Sequence, residues 1–258
     1  MLAGVLGFPV AHSRSPQMHN AAFEALGLDW RYVRLPVSSE LFDETVRALP
    51  GSGYGGANVT IPHKQAALAL ADERSDAAAA IGAANTLTFA EGGIRADNTD
   101  AGGLLDALGE SPAGQRALVL GAGGAGRAAA YALREAGAEV AVWNRTAERA
   151  RALAADLDVD AVQTTEPAAF DLLVNTTSVG LDGQGGLGEL GLAGAAPPAT
   201  VVDLVYGERE TPLCAWAREG GARVVDGLEV LVRQGALSFH IWTGAEPPLD
   251  VMRAAARR

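Results

Sequence analysis

The chain has 258 residues, of which 48% are hydrophobic and 20% charged; this composition can bury a sizeable core and argues against disorder. Its formal net charge of −11 argues against nucleic acid as a partner, because nucleic-acid binding depends on a basic surface. No apolar run approaches the roughly 20 residues that span a bilayer, and the N-terminus lacks a basic leader and a cleavage site, so we expect a cytoplasmic protein without a membrane partner.

The first half of the chain alternates strand-like and helix-like segments. Ser15-Pro16 predicts a helix through about Leu26, with serine as the N-cap and proline in the first turn. We predict strands at 3–7, 31–37 and 55–61, a helix over 39–48, another helix after Pro62, and a hairpin that joins 85–89 to 94–98.

The second half begins with a strand, a glycine turn, an alanine-rich helix and a second strand over residues 116–146. Strands at 170–177, 199–206 and 221–227, an irregular loop at 181–198 and a helical tail from Leu228 follow. This alternation predicts an α/β fold with a mostly parallel sheet. Within the tail, Gln234 lies on a mostly apolar stripe, so its amide needs a partner.

The glycine turn Gly121-Ala122-Gly123-Gly124-Ala125-Gly126 fits the dinucleotide fingerprint, since it lies between a strand and a helix that leads to a second strand. Gly121 permits the tight turn, Gly123 lets the backbone approach a pyrophosphate, and Gly126 lets the helix lie close to the strand. The competing interpretation is a glycine-rich turn that binds nothing.

The end of the second strand favours NADP over NAD. NAD sites usually place a carboxylate there for the ribose hydroxyls, whereas this chain has Asn144-Arg145-Thr146, with Arg149 one helical turn farther along. Arginine binds a 2′-phosphate with paired hydrogen bonds. The alternative is that Arg145 and Arg149 only form a solvated start of a helix.

Lysine is nearly absent from this chain. Of its 20 basic residues, 19 are arginine and one is Lys64. Arginine does not readily give up its proton, so a single retained lysine suggests proton-transfer chemistry rather than an accidental surface residue. Cys214 is the only cysteine and the four histidines show no close ligand pairing, so we expect no metal site.

Three segments of the first half carry more polar residues than a structural role requires. Two hydroxyls, of Ser13 and Ser15, can both bind one carboxylate. Lys64 follows a strand on which Asn58 and Thr60 point the same way. The third segment comprises Asn85 and Asp97-Asn98-Thr99-Asp100; taken alone, each segment is also compatible with turn chemistry, and Asp97-Asn98 with a helix cap.

The motifs HSRSP, GANVTIPHK, GAANTL, DNTDAGG, GAGGAG, NRT, NTTSVG and DGLEVLVRQGA occur in the order found in shikimate dehydrogenases. The chain resembles that family from about residue 4 to about 243. The resemblance implies two α/β domains with a cleft between them: a discontinuous substrate domain of residues 1–101 plus 228–258, and a Rossmann-type NADP domain of residues 102–227. NTTSVG departs mildly from the commoner NATS-x-G pattern.

The resemblance also implies roles for single residues. Ser13, Ser15 and Tyr206 would bind the substrate carboxylate, and Thr60, Lys64, Asn85, Asp100 and Gln234 would surround the ring hydroxyls. The residues that would line NADP are Gly121 to Ala125, Asn144, Arg145, Thr146, Arg149, Thr176, Leu204 and Gly227. Ser178 and Val179 would pass near the nicotinamide ribose, and Asp76 matches a position sometimes associated with the cofactor.

The activity that the resemblance implies is NADPH-linked reduction of 3-dehydroshikimate to shikimate, with Lys64 as the proton donor and Asp100 as its hydrogen-bond partner. We expect a small-molecule substrate and either a monomer or a homodimer. Three alternatives remain at this point: an NAD-dependent quinate/shikimate dehydrogenase or an enzyme of an amino analogue, a non-catalytic ligand-binding relative, and a dehydrogenase of another pathway, such as a folate-linked one.

Overall fold

A computed structural model describes residues 1–181 and 185–258 of the chain. The chain divides into two compact units. The first unit comprises Met1–Gly103 together with Leu231–Arg258, and the second comprises Leu104–Val230. Each unit is a sheet with helices, as the α/β pattern of the sequence predicted.

The first unit contains a six-stranded sheet in the order β2-β1-β3-β5-β6-β4. Strands β1, β2 and β3 pair in parallel, β5 runs antiparallel to both of its neighbours, and β4 pairs in parallel with β6. The strands are β1 (Leu2–Gly7), β2 (Arg31–Pro36), β3 (Tyr54–Val59), β4 (Glu73–Arg74), β5 (Thr86–Ala90) and β6 (Gly93–Asp97).

Helices and an aromatic cluster complete the first unit. His19 stacks on Tyr32 with ring centroids 4.4 Å apart, and Trp242 lies 5.6 Å from the same imidazole. The helices are α1 (Ser15–Ala25), α2 (Phe42–Ala48), α3 (Lys64–Leu70), α4 (Asp76–Ile81) and α10 (Leu249–Ala256), joined by the start of α5 (Asp100–Leu108) and most of α9 (Gly227–Thr243).

The second unit contains a wholly parallel sheet in the order β12-β11-β10-β7-β8-β9. This is the doubly wound order of dinucleotide-binding folds, in which the order of strand addition switches to the other side of β7 at β10. Its elements are β7 (Arg116–Leu120), α6 (Gly124–Glu135), β8 (Glu139–Trp143), α7 (Ala147–Leu157), β9 (Asp160–Ala161), β10 (Leu172–Asn175), β11 (Thr200–Asp203), α8 (Pro212–Glu219) and β12 (Arg223–Val225).

The predicted strands and the hairpin are confirmed, whereas the predicted N-cap of α1 is wrong. Ser15 is the first helical residue, and Arg14 takes the cap position with a helical backbone and no side-chain cap bond. The Ser15 amide donates instead to Ser13 Oγ at 3.3 Å. The described part of the predicted loop at 181–198 contains only turns and bends, and residues 182–184 lie outside the described residues.

Helices α4, α5 and α8 and the short strands β4 and β9 were not identified in the sequence. Alanine makes up most of α4, and α5 begins with alanine and two glycines after Asp100, so neither shows a clear apolar periodicity from which a helix is inferred. Over the described residues, we find no helix that is both long and apolar enough to cross a membrane.

Candidate active site

The topology of the first sheet gathers the polar motifs at one edge. Strands β1 and β3 are parallel, and β6 has the direction of β3 because each runs antiparallel to β5. The segments that follow these strands, 12–15, 60–64 and 98–100, therefore start at the same edge, and Asn85 lies there just before β5. Ligands of open α/β sheets bind at this carboxyl edge.

Lys64 and Asp100 form an ion pair at this edge. Lys64 Nζ lies 2.5 Å from Asp100 Oδ2, with 11% of the lysine side chain and 15% of the aspartate side chain exposed. Asp100 begins α5, where the helix N-terminus favours a carboxylate, and Asn98 Oδ1 accepts from its backbone amide at 3.1 Å. Lys64 begins α3, so each partner of the ion pair lies in the first turn of its own helix.

Asn85 holds the carboxylate from the opposite side. Its Nδ2 lies 2.9 Å from Asp100 Oδ1, 2.9 Å from Thr99 Oγ1 and 3.1 Å from Gln234 Oε1. Its Oδ1 accepts from the Thr99 amide at 2.7 Å. The buried amide of Gln234 therefore has its expected partner, and Asp100 is bonded through both oxygens.

Two glycines of the DNTDAGG motif let α9 reach this cluster. A Cβ atom at Gly103 would lie 2.6 Å from the backbone nitrogen of Gln234, and one at Gly102 would lie 2.9 Å from Leu237 Cδ1. Any larger residue at position 103 would push α9 away from α5. The glycine pair thus brings Gln234 beside Asn85 and Thr99.

A buried hydroxyl network supports the cluster, and two of its members, Thr86 and Ser238, were assigned no role from the sequence. Ser238, one helical turn beyond Gln234, lies 2.9 Å from Thr86 Oγ1 and 3.1 Å from Thr99 Oγ1. It also accepts from Asn58 Nδ2 at 2.9 Å. Asn58 is therefore a buried structural residue. The available signal was the Gln234–Ser238 spacing, which places two polar residues on one apolar face.

The loop that carries Ser13 and Ser15 is held in place by a hydrogen bond from its own backbone. Ser13 and Ser15 are 5% and 4% exposed, and Ser13 Oγ accepts from the Ser15 amide. The Ser13 hydroxyl hydrogen is therefore available for an acceptor such as a carboxylate. Arg34, to which no sequence motif pointed, donates to the Ser13 carbonyl from Nη2 at 2.6 Å and from Nε at 3.1 Å.

The other predicted substrate residues occupy separate places. The Thr60 amide donates to the Leu6 carbonyl at 2.8 Å, and the Thr60 methyl group lies so close to Gly7 that a Cβ atom there would be 2.4 Å away. Thr60 is thus fixed at the end of β3, at the same edge as Lys64. Tyr206 belongs to the second unit, in the segment after β11, and its contact with a substrate remains a prediction.

The glycine turn of the second unit has the geometry expected of a phosphate cradle. Gly121 has φ of 110°, and a Cβ atom at Gly126 would lie 2.2 Å from the Gly121 carbonyl oxygen. Apart from its chain neighbours, no heavy atom of the described residues lies within 4 Å of the Cβ position of Gly123, so the backbone is open to a ligand there. The amides of Gly124 and Ala125 begin α6, where free N–H groups bind anions.

A cavity of about 500 Å³ opens at the end of β8. It is lined by Trp143, Asn144, Arg145 and Arg151, among others. Asn144 joins the glycine turn to this strand end, because its Oδ1 accepts from the Ala122 amide at 3.2 Å and its Nδ2 donates to the Thr146 carbonyl at 3.0 Å. An aromatic ring and two arginines, with no carboxylate at the end of β8, fit a 2′-phosphorylated adenosine.

The predicted Arg149 is not among the residues that line this cavity, whereas Arg151 is. Two residues that are two positions apart on a helix point about 200° apart, so α7 cannot direct both arginines to the same side. Arg151 Nη2 meanwhile contacts Glu148 Oε1 at 2.7 Å on the surface. Glu189 also lines the cavity and would oppose a phosphate.

The remaining predicted cofactor residues surround the ends of β10 and β11. Thr176 Oγ1 donates to the Leu120 carbonyl at 2.8 Å, directly below the glycine turn. A Cβ atom at Gly227 would lie 2.7 Å from the Leu204 carbonyl oxygen, so α9 begins against the segment after β11. Ser178 and Val179 follow Thr176, whereas Asp76 is exposed at the start of α4 in the first unit.

Three family models match different parts of the chain. Residues 5–87 match the shikimate dehydrogenase substrate binding domain. Residues 105–179 match shikimate/quinate 5-dehydrogenase, and residues 227–257 match the shikimate 5′-dehydrogenase C-terminal domain. The chain belongs to the shikimate dehydrogenase family.

Members of this family resemble the chain over nearly its whole length. The NADP(+) shikimate dehydrogenase of Acidiphilium cryptum is 48% identical over 96% of this chain and 92% of its own length. That of Methanothermobacter thermautotrophicus is 44% identical over 100% of this chain and 96% of its own. The crystal structure of Thermus thermophilus shikimate 5-dehydrogenase in complex with NADP(H) and shikimate is 43% identical, covers 100% of this chain and 99% of its own, and has a TM-score of 0.88.

Proposed function

We propose that this chain is an NADP-dependent shikimate dehydrogenase, which reversibly reduces 3-dehydroshikimate to shikimate in the biosynthesis of chorismate and the aromatic amino acids. The Lys64–Asp100 pair at 2.5 Å carries this proposal, since it combines the chain's single lysine with a carboxylate at the ligand-binding edge of the sheet. Family membership and the names of the relatives support the same activity. They do not favour the alternative use of NAD and quinate.

Substrate binding would use the polar edge of the first sheet. The hydroxyls of Ser13 and Ser15 would donate to the carboxylate, and Tyr206 would add a third contact. Thr60, Asn85 and Gln234 would bind or frame the ring hydroxyls. We assign substrate to residues 1–101 plus 228–258 and the cofactor to residues 102–227.

Lys64 would act as the general acid. In its ammonium form it stabilises the negative charge that develops on the ketone oxygen and donates a proton to it, and in the reverse direction neutral lysine accepts that proton. Asp100 keeps the ammonium group in place through its Oδ2 and is itself fixed by Asn85 through its Oδ1. NADPH, when bound, supplies the hydride for the reduction.

The cofactor would be held by the second unit's own residues. The glycine turn would receive the pyrophosphate, Arg145 the 2′-phosphate, and Thr176, Leu204 and Gly227 the nicotinamide half. Arg145 favours NADP over NAD because a cation with paired donors stabilises the extra phosphate. Arg149 remains a predicted contact, although Arg151 lies nearer the cavity.

We also propose a cytoplasmic location and a monomer or homodimer. A biosynthetic dehydrogenase works where its cofactor is produced. The chain's single cysteine, Cys214, is buried and has no second cysteine with which to form a disulfide, which agrees with a reducing compartment.

The test is an assay of nicotinamide absorbance with four combinations: shikimate or quinate, each with NADP or NAD. We expect shikimate with NADP to give the highest kcat/KM. Equal or higher values with quinate and NAD would replace the proposal with a quinate/shikimate dehydrogenase. No reduction in any combination, with a folded protein that binds NADPH, would refute the activity.

A further inference from the structure

Asp203 is a fully buried carboxylate to which no motif assigns a role. It is the last residue of β11 and is 0% exposed. Its Oδ1 accepts from Asn175 Nδ2 at 2.8 Å and from the Val205 amide at 3.1 Å. Its Oδ2 accepts from Thr211 Oγ1 at 2.6 Å, with Cys214 Sγ 4.0 Å away.

This environment is unusual because the side chain is surrounded by donors. Burial raises the pKa of the Asp203 carboxyl, since desolvation disfavours its charge, while hydrogen bonds from Thr211, Val205 and Asn175 oppose that change. Retaining a buried acid is costly unless each oxygen is satisfied. Both oxygens are satisfied here, and Asn175, Val205 and Thr211 are each the donor in their bond to Asp203.

The first arm of this network leads into the NTTSVG segment. Because Asn175 turns its amide nitrogen to Asp203, its Oδ1 faces the other way and accepts from Thr177 Oγ1 at 2.8 Å and from the Thr177 amide at 3.1 Å. Thr177 Oγ1, having donated its hydrogen, accepts from the Val179 amide at 3.1 Å. The direction of each bond therefore follows from the carboxylate.

The second arm leads into the segment 204–211. Near the start of this segment, the Val205 amide donates to Asp203 Oδ1. At its end Thr211 is the N-cap of α8, where its Oγ1 accepts from the Cys214 amide at 3.2 Å. The single hydroxyl hydrogen of Thr211 is therefore donated to Asp203. One carboxylate thus accepts hydrogen bonds from both ends of the segment, from Val205 and from Thr211.

The two segments also lie beside each other. A Cβ atom at Gly180, which has φ of 98°, would lie 3.7 Å from Thr211 Cβ and 3.9 Å from Val205 Cγ1. Thr176 at the start of the first segment and Leu204 and Tyr206 in the second are the residues expected to meet the nicotinamide half of the cofactor and the substrate. Asp203 therefore bonds to both segments, through Asn175 and Thr177 on one side and through Val205 and Thr211 on the other.

We infer that Asp203 is a positioning residue, whose carboxylate orders the segments 176–180 and 204–211 and thereby sets the cofactor geometry in the reaction. The kinetic effect of this role rests on the proposed function, whereas the ordering of the two segments is independent of it. A displacement of about 1 Å at a reacting centre lowers turnover by about a hundredfold, so the loss of either arm has a measurable effect.

Asp203→Asn is the first test. An amide keeps only one acceptor oxygen, so one of the two arms must lose its acceptor. We expect amide hydrogen exchange, measured by mass spectrometry on the whole protein, to rise in 176–180 and 204–211 but not in 121–126. We expect kcat/KM for shikimate with saturating NADP to fall by about ten- to a hundredfold.

The matched control is Thr200→Val, at the opposite end of the same strand, where the residue is also buried. It should leave exchange in both segments and the kinetics unchanged. Thr211→Val removes the hydroxyl that donates to Asp203 and also caps α8, so it should increase exchange in 204–211 and lower kcat/KM, and Thr211→Ser should restore both. A purely structural role would lower the melting temperature but leave kcat/KM of the folded protein unchanged.

The outcomes separate the two proposals. If the wild-type protein does not oxidise shikimate, the proposed function fails, and the exchange measurements still decide whether Asp203 orders the segments. Unchanged exchange in Asp203→Asn would overturn the inference, as would increased exchange with a wild-type kcat/KM. If Asp203→Asn does not fold, Thr211→Val and Thr177→Val decide it, one for each arm.

Discussion

Lys64→Met removes the only lysine while nearly preserving the length of its side chain. The lost contact is the ion pair of 2.5 Å with Asp100, whose other oxygen keeps Asn85 at 2.9 Å. Since the pair is partly exposed, we expect a cost of no more than about 1–3 kcal/mol in the free energy of unfolding. The loss of proton donation should lower kcat about 10²- to 10⁴-fold, or about 2.7–5.4 kcal/mol of activation free energy.

The assay is steady-state NADP reduction with shikimate, combined with a titration of NADPH binding by fluorescence. NADPH affinity should stay within about twofold of wild type, because the glycine turn and the cavity at β8 belong to the other unit. Gln65→Met, the same new side chain at the exposed neighbouring position, controls for a general effect on α3. Near-normal turnover of Lys64→Met would refute the acid–base role.

Arg145→Ala should raise the Kd of NADP at least about tenfold while changing the Kd of NAD little, because it removes a paired contact to the 2′-phosphate. Arg149→Ala should have a smaller effect on the Kd of NADP. If Arg145→Ala weakened the binding of both nucleotides equally, the assignment of Arg145 to the 2′-phosphate would be wrong. Gly103→Ala should destabilise the protein by about 1–3 kcal/mol and raise the KM for shikimate, because its Cβ would lie 2.6 Å from the backbone nitrogen of Gln234. Gly102→Ala, which meets only the end of a leucine side chain, is its control, and equal melting temperatures would count against the close approach. Burial lowers the pKa of His19 to about 3, so the unfolded chain binds its proton at a higher pH than the folded one, and stability falls as the pH drops below about 6.5. Between pH 7 and pH 5 this amounts to about 2 kcal/mol in urea unfolding, which His19→Phe should abolish; an unchanged pH dependence would show that His19 does not cause it.

The sequence alone predicted most of the strands and the nucleotide fingerprint, because these depend on local patterns. The run Gly121 to Gly126 requires a positive φ at one position and no Cβ at another, and both requirements can be read from the residues. The solitary Lys64 likewise stood out by composition. The helices α4 and α5 were not predicted, because alanine and glycine give no amphipathic period.

The capping of α1 shows where local rules fail. Serine followed by proline is a common N-terminal signature, but the backbone of Arg14 is already helical and the bond runs from the Ser15 amide to Ser13 Oγ. Likewise, Arg149 and Arg151 both follow the second strand of the fingerprint, and only the phase of α7 decides that Arg151 lines the cavity.

The partners of the candidate catalytic pair were decided by tertiary structure. Asn85 and Gln234 are far apart in the chain, yet an amide nitrogen and an amide oxygen meet at 3.1 Å because Gly103 admits α9 beside α5. The sequence could say that Gln234 needs a partner, since a buried amide is costly when left alone, but not which one. Which polar groups meet depends on how helices pack, and that contact has no signature in the residues on either side of it.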